Sequence, residues 1–194
     1  APAHTRRSEV TASSTSDAAM PNSHSTYRPV AVYASDVNGD GITELPRAVL
    51  MAGYKDTSSS DAVYMLDWYA YGIGKVPTKV ATTYQNISDA WSLLIDQKWH
   101  DRITAIKAND GGLSYVEFFE YRKNKMSIPL FNIYCATGSN REYYAERTDL
   151  IQLGQTTQAI YFAKLINEGE QSELALTGDE IKARFSLVNQ AWNN

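Results

Sequence analysis

The sequence predicts an α+β fold: a mostly antiparallel β-sheet with a C-terminal amphipathic helix, preceded by a strand-loop-strand hairpin. Three observations predict it. Short runs rich in Val, Ile, Tyr and Phe recur between clusters of Gly, Asn, Asp and Ser, as in sheets built from hairpins. One acidic, glycine-punctuated loop, Asp36 to Glu44, follows the first such run. Near the C-terminal end, a capping signature opens a stretch of apolar residues at helical spacing.

Size and composition set the frame. The 194 residues and 43% hydrophobic content suffice for a real core. The net charge of −4, with no Lys/Arg run longer than a pair, argues against a nucleic-acid partner. No apolar stretch approaches the ~18 residues needed to span a membrane. A single cysteine, Cys135, excludes an internal disulfide. The first residue is not Met and no signal peptide is visible, which predicts a mature form or a segment of a longer protein.

Residues 1–27 are expected to be a flexible leader or the remnant of an upstream domain, because Thr11 to Asp17 is nearly all small and polar. Residues 28–56 are read as the hairpin and 57–194 as the antiparallel α+β domain. Val30 to Ala34 reads as a strand entering the acidic loop. Leu45 to Met51 reads as the return, with Pro46 marking an edge position. Further strands are expected at Ala62 to Tyr71, Val76 to Tyr84, Ile103 to Lys107, Ser114 to Arg122, Ile128 to Ala136, Leu150 to Leu153 and Ala159 to Leu165. Gly72 to Gly74, Asn109 to Gly112 and Thr137 to Asn140 supply turns. A helical turn is expected at Ser88 to Leu94. Thr177 and Glu180 form a capping box, and Ile181, Phe185, Val188 and Trp192 fall on one face of the helix that should follow.

The acidic loop carries the most specific chemistry. In Asp36-Val-Asn-Gly-Asp-Gly-Ile-Thr-Glu44, oxygen-bearing side chains stand at positions 1, 3, 5 and 9: Asp36, Asn38, Asp40 and Glu44. Gly41 at position 6 permits a sharp bend, and Ile42 at position 7 offers its backbone carbonyl. Such an all-oxygen set suits a hard cation, and the expected cofactor is a structural Ca2+ held with an affinity on the order of 0.1 to 1 mM. Position 12 is Arg47 rather than the bidentate Glu of an EF-hand, so a strand-loop-strand hairpin is the better description.

The stretch Val32-Tyr-Ala-Ser-Asp-Val-Asn-Gly-Asp-Gly-Ile-Thr-Glu-Leu-Pro46 resembles the loop of FG-GAP or VCBS repeats, the blades of calcium-decorated β-propellers. The resemblance implies a calcium hairpin of propeller-blade type. It also implies a propeller upstream in the same chain. The remainder, with Asp67-Trp-Tyr69, Thr137-Gly-Ser-Asn-Arg141 and Ile160-Tyr-Phe-Ala163 in order, resembles the C-terminal part of bacterial VCBS-containing surface lipoproteins. That likeness implies an extracytoplasmic protein, secreted or lipid-anchored through a segment not present here. Residues Ser88 to Leu165, with Ala90-Trp-Ser-Leu-Leu-Ile-Asp-Gln-Lys-Trp99 ahead of the strands, faintly resemble PsbP-like domains, mostly binding or accessory modules.

Catalytic chemistry finds little support. Of the histidines His4, His24 and His100, two lie in the expected leader and His100 reads as a surface residue. Cys135 alternates with Phe131 and Ile133 and reads as a buried, inert thiol. Glu117 and Glu120 point to opposite faces of one strand. Glu142 and Glu146 read as a solvated pair. The expectation is a non-catalytic binding or scaffold module. The alternative is a carbohydrate-active hydrolase whose carboxylates assemble only in three dimensions. For the binding reading, the candidate ligand-contacting residues are Trp68, Tyr69, Tyr71, Tyr143 and Tyr144. Their rings would stack on a polysaccharide or dock a protein at the cell surface.

Overall fold

The computed structural model describes residues 30–58, 61–110 and 113–188. The expected leader, His4, His24, Gly111 and Gly112 of one turn, and Trp192 of the C-terminal apolar face lie outside the described residues.

Among the described residues, ten strands form two five-stranded antiparallel sheets. The first contains β1 (Leu45–Leu50), β2 (Tyr64–Ala70), β3 (Thr78–Asn86), β4 (Trp91–Leu94) and β10 (Phe185–Leu187), in spatial order β1-β2-β3-β4-β10. The second contains β5 (Ile103–Asp110), β6 (Leu113–Arg122), β7 (Lys125–Thr137), β8 (Ile151–Gln155) and β9 (Ala159–Leu165), in order β5-β6-β7-β9-β8. Helices are short: α1 (Arg141–Ala145) and α2 (Gly178–Arg184), with 3-10 turns at Gln97–Trp99, Gly138–Asn140 and Asn167–Gln171. Among the described residues, no helix is long and apolar enough to cross a membrane.

Alternation explains how these strands pack. In β7, Phe131, Ile133 and Cys135 are buried; in β6, Val116 and Phe118 are fully covered. These side chains join Met65 and Tyr84 of the first sheet in one continuous core. Rings tie the layers together. Phe118 stacks on Phe131 at 4.8 Å between centroids, Tyr84 meets Phe118 edge-on at 5.4 Å, and Trp91 lies 5.5 Å from Tyr84. Each such pair adds about 0.5 to 1.5 kcal/mol beyond its buried area.

Pro46 does sit in an edge strand, since β1 has a neighbour only in β2. The register pairs Leu45 with Tyr69 and Leu50 with Tyr64, so the return arm of the hairpin is built into the first sheet.

Three local expectations are corrected. Val30 to Ala34 forms no ladder; the loop is closed only by an isolated bridge between Ser35 and Glu44. Ser88 to Leu94 is not helical. Ala90 takes a left-handed φ of 55°, which no α-helix accommodates, and Trp91 and Leu93 then alternate into the core as β4. The C-terminal apolar face is not one long helix either. Thr177 caps α2 through a complete capping box with Glu180, but the helix stops at Arg184. Phe185 is extended (φ −81°, ψ 138°) because Phe185–Leu187 pairs with β4. Its ring packs at 5.9 Å from Trp91 and 5.6 Å from Tyr161. Core packing and a strand ladder outweigh the helical spacing here.

Candidate metal centre

The acidic loop is organised by its own backbone. Asp36 Oδ1 accepts hydrogen bonds from the Gly39 N–H (2.7 Å) and the Asp40 N–H (3.1 Å), and Oδ2 accepts from the Gly41 N–H (2.8 Å). These donors, Gly41 foremost, hold the Asp36 carboxyl below its usual range. Gly39 and Gly41 adopt φ of 76° and 83°, a left-handed region that L side chains resist; a residue with a Cβ at either would open the turn. The Asn38 amide donates to Asp40 Oδ2 (2.9 Å), and Asp40 Oδ1 accepts from the Ile42 N–H (2.8 Å). The Ile42 side chain points outward, half exposed.

Glu44 closes the loop. Its backbone exchanges two hydrogen bonds with Ser35, at 3.0 and 3.2 Å. Its side chain is wholly buried, and Oε2 accepts from the Val37 N–H at 2.9 Å. Oε1 is buried and has no hydrogen-bond partner. Asp36, Asp40 and Glu44 each place a carboxylate oxygen within 4.8 Å of the others. The three carboxylates can hold a metal ion. A buried carboxylate oxygen with neither a donor nor a cation beside it costs at least about 1 to 3 kcal/mol, and like charges at this range add to that. A cation removes both penalties, so the residues present fit the group.

The ring residues divide differently from expectation. Trp68 is corrected as a ligand contact: it is fully buried, and its Nε1–H donates to Thr83 Oγ1 at 2.8 Å, leaving no face for a sugar. Tyr69 is half-buried beneath the Arg47 guanidinium, 5.1 Å from its ring centre. Tyr71 and Tyr143 are exposed, at 52% and 66%. Tyr144 is half-buried and meets Tyr143 edge-on at 5.3 Å. Tyr69 lies near the end of β2 and Tyr71 just after it, Tyr143 and Tyr144 lie in α1, and among the described residues no ring contact joins the two pairs.

The fold also assembles charged groups that local sequence does not announce. Glu120, fully buried, accepts from Arg122 Nε (2.6 Å), Arg102 (3.0 Å) and the Ser172 hydroxyl. Burial raises its carboxyl, but these hydrogen bonds outweigh burial and leave it below the usual range. Asp67, also buried, is paired with Lys79 at 2.8 Å and accepts from Thr82 Oγ1 at 2.7 Å. His100 is half-buried rather than superficial, with Nε2 3.2 Å from Thr82 Oγ1 and 3.3 Å from Lys79 Nζ. Cys135 is buried, and loss of hydration pushes its thiol up to about 11. Glu117 is engaged by the Asn132 amide at 3.4 Å, while Glu142 and Glu146 are exposed.

Comparison with family models, curated proteins and solved structures yields no significant match.

Proposed function

We propose that this chain is a non-catalytic, calcium-stabilised binding or scaffold module of an extracytoplasmic bacterial protein, of the kind found at the C-terminal end of VCBS-containing surface lipoproteins. The observation that carries this reading is Glu44: a wholly buried carboxylate with an orphan oxygen, set against two further carboxylates at a glycine-shaped bend. An all-oxygen donor set favours a hard cation over zinc or copper. A flexible loop that draws ligands from alternate positions suits calcium better than magnesium, which demands a near-ideal octahedron. Millimolar calcium outside cells matches the modest affinity expected of such a loop. The ion is structural, because the three carboxylates of the closed loop are taken up as its ligands and leave no open position for chemistry. Exposed Tyr71 and Tyr143, with their half-buried neighbours Tyr69 and Tyr144, are the ring surfaces offered to a protein or polysaccharide at the cell surface.

Titration calorimetry with calcium and with magnesium tests the reading. Calcium should bind with a Kd of about 0.1 to 1 mM and raise the melting temperature, while magnesium should bind more weakly. Neither heat nor a thermal shift at several millimolar calcium removes the proposal.

A further inference from the structure

We infer that the ion at this loop controls whether the first half of β1 stays paired with β2, so that the loop acts as a metal-dependent latch on the β1 edge of the first sheet. The inference rests on the calcium reading above. Its basis is where Glu44 sits. Glu44 is the last residue before β1, and its backbone bridge to Ser35 runs directly into the Leu45–Tyr69 pair. Through the Val37 N–H bond to its Oε2 and its backbone bridge to Ser35, Glu44 couples the carboxylate cluster to the start of β1.

β1 is anchored unequally at its two ends. Met51, immediately after it, is buried in the core. Leu45, at its start, is 44% exposed, and no residue of the strand itself is fully buried. As an edge strand it has neighbours on one side only, so its first half is held by backbone hydrogen bonds and by Arg47, which lies 3.8 Å from Asp67 and over the Tyr69 ring. The Arg47–Asp67 contact is long, and Arg47 is half exposed, so it contributes little. Without a cation, repulsion among Asp36, Asp40 and Glu44 is relieved by expelling Glu44. Opening then runs from the loop toward Arg47 and stops where Met51 holds the chain. With a cation bound, expelling Glu44 also releases the ion, and opening is suppressed by the factor 1 + [L]/Kd.

Hydrogen exchange of the full chain, followed by mass spectrometry with calcium chloride or a chelator, tests this. At 10 mM calcium, amides of Leu45 and Arg47 should exchange about 10- to 100-fold more slowly than in chelator, from the affinity range above. Met51, whose N–H donates to the Val63 carbonyl, and the β5 amides paired with β6 at an edge of the other sheet should change far less. Glu44→Gln should abolish the calcium effect at Leu45 and Arg47. Should that variant not fold, Asp40→Asn, at an exposed position, should weaken the effect instead. Calcium heat without slower exchange at Leu45 and Arg47 overturns the latch and leaves the metal reading intact. Equal slowing at β5 overturns it too, since the ion would then stabilise the chain at large. Absence of both heat and slowing overturns the latch together with the calcium reading.

Discussion

Among the described residues, two glutamates have no solvent exposure, and their surroundings are opposite. Glu120 lies between two arginines and a serine hydroxyl, all supplied by the chain. Glu44 receives one backbone N–H, keeps an oxygen without a donor, and faces two more carboxylates. Burial alone thus says little about what a carboxylate does. A buried acid that meets its cations inside the fold is part of the scaffold. One gathered with other acids leaves its compensating charge to come from solution.

The comparison is tested most severely at Glu120. Glu120→Gln should lower unfolding free energy by about 3 kcal/mol, toward the low end for a broken buried pair because both arginines reach solvent. Denaturant melts at neutral pH check the size. The folded carboxyl lies below its ordinary value of 4.5, so its stabilisation is complete above that pH and is lost as pH falls through the lower folded value. The variant should therefore lose less stability than the wild type on acidification below pH ~4.5. An acid limb of unchanged steepness would show that Glu120 is not the group responsible.

Glu44→Gln should act in the opposite direction. In chelator, removing a charge that has no cation should raise stability by about 1 kcal/mol. In millimolar calcium the same variant should be the less stable protein, because the wild type gains binding energy that it does not. If the substitution destabilises by the same amount with and without calcium, the contrast between the two glutamates collapses. Thr177→Ala provides a reference of smaller size. Loss of its capping box at α2 should cost about 1 kcal/mol, independent of calcium. A calcium-dependent cost there would mean that the ion's influence extends well beyond the hairpin.

The difference between the two glutamates also explains what could be read from the chain. The metal cluster was legible because its donors are contiguous: local turn chemistry alone brings Asp36, Asp40 and Glu44 together. The Glu120 network was not, because Arg102 and Ser172 lie 18 and 52 residues away and converge only once the second sheet is assembled. Among the strands, the long alternating runs around β2, β6, β7 and β9 announced themselves. β4 and β10, four and three residues long, fall below the length at which period 2 can be told from helical spacing. Ile181 and Phe185, four apart, fit a helix face equally well, and only the Trp91 and Tyr161 rings decide that Phe185 is extended. Trp68 misled for a related reason: composition marks a strand as aromatic, but only the register and the Thr83 hydroxyl place its ring in the interior.

The position of β10 has a consequence for how the polypeptide matures. β4 has β3 on one side and β10 on the other, yet all five strands of the second sheet lie between β4 and β10 along the chain. A nascent molecule must therefore carry β4 with one flank unzipped until the whole opposing layer has been synthesised. That order makes completion of the first sheet a late, long-range closure, slow by its topology and vulnerable to a competing strand while it waits.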